Sequence, residues 1–131
     1  MPVSVVVIEA HPLMREALLA ALTIEPGWQV AALSDSQAAI VSAVQAAPPS
    51  LILLSLGNPG ADDLRLLAVM RQALPGVPIL ALITNEVPEQ AEAAVIAGAS
   101  HVSAKSAPRE ELMNAVHIVL NSVPLTATDL D

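Results

Sequence analysis

Four side chains able to do chemistry stand just after short apolar runs. Glu9 follows Val3–Ile8, Ser55 follows Leu51–Leu54, Thr84 follows Ile79–Ile83, and Lys105 follows His101–Ala104. Ser55 and Lys105 could pair as nucleophile and base, a chemistry that needs a lysine of depressed pKa. Against that reading, the Gly-x-Ser-x-Gly elbow is absent around Ser55 and no oxyanion-hole loop is evident. Asp62 and Asp63 come soon after Ser55, but helical spacing puts them in the first turn of a helix, where carboxylates suit the helix dipole. His11, His101 and His117 lack the paired spacing of metal ligands. No Gly-x-Gly-x-x-Gly follows a strand-like run, so a dinucleotide site has no support. No cofactor and no metal is expected.

The runs that carry these residues alternate regularly with helical patterns. Val3–Ile8 is β-branched and apolar, as a strand buried on both faces should be. Pro12 suits a first helical turn; Leu13, Met14, Ala17, Leu18, Ala21 and Leu22 then repeat at helical spacing, with Arg15 and Glu16 on the other side, until Pro26-Gly27. Trp28–Leu33 reads as a strand, and a helix is expected from about Ser36 to Ala47, closed by Pro48-Pro49. Three more cycles follow: strands at Leu51–Leu54, Ile79–Ile83 and His101–Ala104, and helices at Asp62–Leu74, Glu89–Ala97 and Pro108 to about Ser122. Gly57–Gly60 reads as a turn and Gly98 as a helix C-cap. Met14 and Met70 fall among leucines at helical spacing, which suits core filling.

Five strand–helix units in strict alternation imply an α/β fold with a parallel sheet covered on both faces. Right-handed crossovers favour a doubly wound, three-layer sandwich. Ligands of such sheets sit beyond the carboxyl ends of the strands, which here carry Glu9, Ala10, Ser55, Ile83, Thr84 and Lys105.

Composition narrows the function classes. The 131 residues make one domain, and the absence of cysteine excludes disulfides, thiol nucleophiles and Cys-ligated zinc. Lys+Arg 5 against Asp+Glu 13, a formal net charge of -8, argues against direct nucleic-acid binding by this segment. The uncharged stretch from Ser36 to Ala61 is long enough to suggest a bilayer span, but Pro48-Pro49 and several polar residues break it. The expectation is a cytoplasmic chain with no membrane partner.

From Val3 to about Leu120 the chain resembles the receiver domain of bacterial response regulators (the CheY-like superfamily), especially the NarL/FixJ (LuxR-type) subfamily. The resemblance is carried by Val7-Ile-Glu-Ala-His-Pro-Leu-Met-Arg-Glu-Ala-Leu18, Leu51-Ile-Leu-Leu-Ser-Leu-Gly-Asn-Pro-Gly60, Val77-Pro-Ile-Leu-Ala-Leu82, Ala97-Gly-Ala99, and Lys105 with Pro108–Leu112. It implies a flavodoxin-like (βα)5 sandwich with sheet order 2-1-3-4-5, over residues 1–123. It also implies that 124–131 is a linker or tail of the kind that leads, in this subfamily, to a helix-turn-helix output domain.

The resemblance implies an aspartyl phosphoacceptor, but the aligned residues depart from the family pattern. The acidic pair falls on Glu9 and Ala10, the acceptor aspartate on Ser55, the hydroxyl residue on Ile83 (with Thr84 next), and the aromatic switch residue on Val102. Only Lys105 is kept. Acyl-phosphate formation needs a carboxylate nucleophile, and Mg²⁺ needs oxygen ligands that Glu9 alone supplies poorly. The pocket formed by Glu9, Ala10, Ser55, Ile83, Thr84 and Lys105 is therefore expected to be a degenerate phosphoacceptor site. Lys105 is expected to reach Glu9, with Ser55 hydrogen-bonding one of them, because a buried unpaired charge is costly. A solvated lysine is the alternative.

The resulting expectation is a phosphorylation-independent receiver-like module of signal transduction and transcription regulation, acting through a homodimer or a partner protein. Leu19 and Ile118, read as outward residues of the first and last helices, are the expected dimer surface, with Ile96 similarly placed on another helix. A small-molecule sensor using the same crevice is the alternative, and a Ser–Lys hydrolase the distant one.

Overall fold

The computed structural model describes residues 3–33, 47–57, 60–84 and 87–121. Five strands form one sheet: β1 (Ser4–Ile8), β2 (Gln29–Leu33), β3 (Leu51–Gly57), β4 (Ile79–Ile83) and β5 (His101–Ala104). The described helices are α1 (Pro12–Thr23), α2 (Ala61–Ala73), α3 (Pro88–Ala97) and α4 (Arg109–Asn121). The helix expected between about Ser36 and Ala47, and the tail 124–131, lie outside the described residues.

All strand pairs are parallel, in the order β2-β1-β3-β4-β5. Alternation along each strand sorts the apolar side chains into two cores. Ile52, Leu54, Ile79, Ala81 and Ile83 point to the face covered by Leu67 and Met70 of α2 and Ala94 of α3. Leu51, Leu53, Leu80 and Leu82 point the other way, onto Leu18 and Leu22 of α1 and Leu112, Val116 and Val119 of α4. Every residue of β4 is buried, so the strand reads as a continuous apolar run. The order 2-1-3-4-5 and the three layers agree with the sequence reading, and Met70 is core.

Two details differ from it. β3 continues through Ser55 to Gly57, with an irregularity between Ser55 and Gly57 where it pairs with β4, so Gly57 is strand rather than turn. α1 is rotated from the expected phase: Leu13 is 73% exposed and Ala17 is exposed, whereas Leu19 and Arg15 are half-buried. The cause is Arg15, whose Nη1 donates to the carbonyls of Glu9 (3.0 Å) and Ala10 (3.4 Å). Holding these strand-end carbonyls turns the Arg15 side of the helix inward and swings Leu13 out.

The return from α2 to β5 is fixed by a second arginine. Arg71 Nε donates to Gly98 O at 2.9 Å, and Nη1 to Val77 O at 2.7 Å and Leu74 O at 3.2 Å. Nη2 reaches Ser100 Oγ at 3.2 Å, and that same oxygen accepts the Ile79 N–H at 3.0 Å. Gly98 lies at φ +133, and a Cβ there would come 2.7 Å from Arg71 Cβ. Only glycine lets the chain turn there and pass so close.

Candidate functional site

The carboxyl ends of β1, β3, β4 and β5 meet around Glu9. This residue directly follows β1, is 4% exposed, and is one of two buried polar or charged residues among those described. Its Oε1 accepts the His11 N–H at 3.0 Å, which joins the strand end to the start of α1. Its Oε2 lies 3.3 Å from Lys105 Nζ. Lys105 is placed by its own backbone, whose N–H donates to Ile83 O at 2.7 Å where β5 ends beside β4. The lysine side chain keeps 22% exposure, so it spans from solvent to the buried carboxylate.

Ser55 is half-buried on β3. Its Oγ and Glu9 Oε2 are both buried, and neither completes a hydrogen bond of good geometry. The hydroxyl nonetheless favours the charged carboxylate, so we read its contact with Glu9 as a dipole aimed at the anion rather than a formed bond. Burial by itself would raise the Glu9 pKa. The Ser55 hydroxyl, the His11 N–H and the Lys105 charge together outweigh it and hold the carboxyl below its ordinary value of 4.5.

The remaining crevice residues contribute little polarity. Ile83 is fully buried in the core under α2 and α3; Ala10 and Thr84 are exposed. Val102 packs into the α2–α3 core. Asp63 Oδ2 accepts the Gly60 N–H at 3.1 Å, and Asp62 pairs with Arg65 at 3.3 Å, so both acids serve the start of α2. The Ser55 hydroxyl makes no hydrogen bond to Lys105, which leaves the Ser–Lys dyad without geometry. The donor set also does not fit the magnesium ion of a phosphoryl-transfer site. It is one carboxylate, already set against an ammonium, and one alcohol, and the described residues hold no cluster of three or more acids, histidines or cysteines.

The histidines are dispersed. His11 caps α1, His101 is exposed on β5, and His117 of α4 stands 3.7 Å from Glu25, its ring centroid 5.6 Å from that of Trp28. Of the expected dimer pair, Leu19 is half-buried because of the rotation of α1. Ile118 is 55% exposed and lines, with His101, Ser103, Glu111 and Asn114, a groove of about 220 Å³ between β5 and α4. Leu19 does not line that groove, whereas Val102, at the position of the family's aromatic switch residue, does. Ile96 is 78% exposed, as expected. Sequence reasoning missed the Arg15 clamp, whose acceptors are main-chain carbonyls and carry no residue signature. No helix among the described residues is long and apolar enough to cross a membrane.

Comparison with known proteins places this geometry. The model of the response regulator receiver domain matches residues 5–117. The chain is 28% identical over 128 residues (98% of this chain, 54% of the relative) to TcrX of Mycobacterium tuberculosis, named a probable transcriptional regulatory protein. It is 30% identical over 118 residues to the glycerol metabolism activator of Pseudomonas putida, covering 89% of this chain and 53% of the relative. It thus spans about half the length of the curated relatives it matches. Among solved structures, the signal receiver domain of the response regulator NarL from Mycobacterium tuberculosis superposes with a TM-score of 0.79 at 28% identity, covering 92% of this chain and 98% of that one. A LuxR-family two-component response regulator from Aurantimonas superposes at 0.82 with 21% identity, over 99% of this chain and 94% of that one, and supports the fold alone. The matched span runs from β1 into α4 over the whole 2-1-3-4-5 sheet, and on that basis the chain belongs to the response regulator receiver domain family.

Proposed function

We propose that this receiver domain works without phosphoryl transfer, as a regulatory module of a transcription regulator that acts by binding a second copy or a partner protein in the cytoplasm. One observation carries the reading. Where the family places its acceptor aspartate there is an alcohol, Ser55, and the single buried carboxylate beside it, Glu9, is already neutralised by Lys105 at 3.3 Å. An alcohol at its ordinary pKa, beside a carboxylate already engaged by a lysine, is a poor nucleophile toward a phosphoryl donor, and a phosphoryl group would place further negative charge beside Glu9. Ile83, fully buried, offers no hydroxyl to hold such a group. The ion pair instead fixes the ends of β1 and β5 in one arrangement. Twofold longer relatives, one of them named a transcriptional regulatory protein, support a place for this module within a larger regulator.

The test is incubation with acetyl phosphate and magnesium, followed by intact-mass and peptide mass spectrometry. The unmodified mass is expected. A stable adduct at Ser55, Asp62 or Asp63 overturns the proposal.

A further inference from the structure

The connection between α1 and β2 is a tight turn made by Glu25, Pro26, Gly27 and Trp28. The Trp28 N–H donates to Glu25 O at 3.4 Å, and Gly27 lies at φ +79. Proline followed by a glycine of positive φ makes a type II turn, which brings its first and fourth residues within about 7 Å of each other. Here those residues are an acid and an aromatic, and both meet the same ring. His117 Nε2 of α4 stands 3.7 Å from Glu25 Oε1, and the His117 ring centroid lies 5.6 Å from that of Trp28. A carboxylate and an aromatic ring, set together by one turn, favour a cation between them over a neutral ring.

We propose that this turn and His117 form a proton-operated latch. Protonated His117 is gripped by Glu25 and Trp28 and ties α4 to the turn; the neutral imidazole loosens the hold. Histidine is the side chain whose charge changes between pH 5 and 8, and a carboxylate stays ionised over that range. The grip is therefore full at the acidic end and is lost as pH rises. Exposure suits the role. The Glu25 side chain keeps 27%, which shields the pair, and His117 keeps 49%, which leaves the ring open to proton exchange with water.

The other charges around α4 are placed elsewhere. β2 and β4 carry no titratable group, and β5 carries His101, which lines the groove with Glu111 and Ile118. α1 carries Glu16, which is exposed, and Arg15, which is bound to the carbonyls of Glu9 and Ala10. On α4 itself, Arg109 donates to Ala21 O at 3.2 Å, and Glu110 and Glu111 lie in the first turn. Among the described residues, Glu25 is the acid that pairs with His117. Trp28 also packs on the core that Leu22 of α1 shares with Val116 and Val119 of α4, so the proton is felt where those two helices meet.

The test is a double-variant cycle at two pH values. The full chain, Glu25→Gln, His117→Gln and the double variant are unfolded in urea at pH 5.5 and at pH 8. At pH 5.5 the coupling between the two positions is expected to be about threefold in the unfolding constant, and at pH 8 close to none. Amide exchange adds a local readout: protection of residues 117–121 should be higher at pH 5.5 than at pH 8 in the native chain and indifferent to pH in His117→Gln. His11→Gln and His101→Gln should keep the native behaviour. Equal coupling at both pH values, no coupling at pH 5.5, pH-dependent protection that survives His117→Gln, or its loss in either control would each overturn the latch. Phosphoryl transfer plays no part in these readouts, so their failure leaves the proposed function standing.

Discussion

Replacing Lys105 by methionine removes the cation and leaves the Glu9 carboxylate, 4% exposed, with one backbone N–H and the Ser55 dipole. Removing one partner of a fully buried ion pair costs about 3–5 kcal/mol. Lys105 retains 22% exposure, so the expected loss is at the lower end, about 2–3 kcal/mol near neutral pH. The reverse change, Glu9→Gln, strands a lysine that can extend into water while Gln still accepts the His11 N–H. It should cost about 1 kcal/mol. The double variant should lie close to Glu9→Gln alone, which makes the two changes non-additive by about 2–3 kcal/mol.

The pH dependence separates the variants further. In the native chain the folded Glu9 pKa is below 4.5, so its stabilisation is present above 4.5 and is lost as pH falls through the lowered value. In Lys105→Met burial is less opposed and pushes the carboxyl up. The penalty is then full above the raised pKa and fades as pH falls through it. The gap between native and Lys105→Met should therefore narrow from about pH 7 to about pH 4. Urea unfolding followed by far-ultraviolet circular dichroism measures it. A Lys105→Met variant within about 0.5 kcal/mol of native, or a gap indifferent to pH, would refute the buried pair.

Other perturbations test the frame. Gly98→Ala forces a side chain onto φ +133 and 2.7 Å from Arg71 Cβ, so it should lose at least about 3 kcal/mol in thermal unfolding. Arg71→Met should cost about 3 kcal/mol by stranding the carbonyls of Val77 and Gly98, with Arg71→Lys restoring only part because an ammonium cannot span them. Hydrogen exchange at residues 98–100 should rise in both. Ser55→Ala removes the dipole aimed at Glu9, so it should move that carboxyl's pKa upward and cost about 1 kcal/mol near neutral pH, read by urea unfolding.

The sheet was legible because β1, β3 and β4 are short β-branched or leucine runs, and Ile79–Ile83, buried throughout, is the clearest case. The placement of Glu9, Ser55, Ile83 and Lys105 at one edge follows from the same pattern, since a parallel sheet gathers its carboxyl ends. The rotation of α1 was not legible. Leu13 and Leu18 are equally apolar, and the Arg15 bonds to two main-chain carbonyls on the inner side carry no residue signature. The extension of β3 past Ser55 was hidden for a related reason: Gly57 signals a turn, but pairing with Ile83 holds it in the sheet.

Trp28, the only tryptophan of the chain, leans on His117 at an interplanar angle of 59°. Intrinsic emission is thus a gauge of one joint, where the second strand meets the last helix. If emission and ellipticity fall together during unfolding, that helix detaches only when the whole sheet gives way; if emission moves first, the joint is the molecule's point of early release.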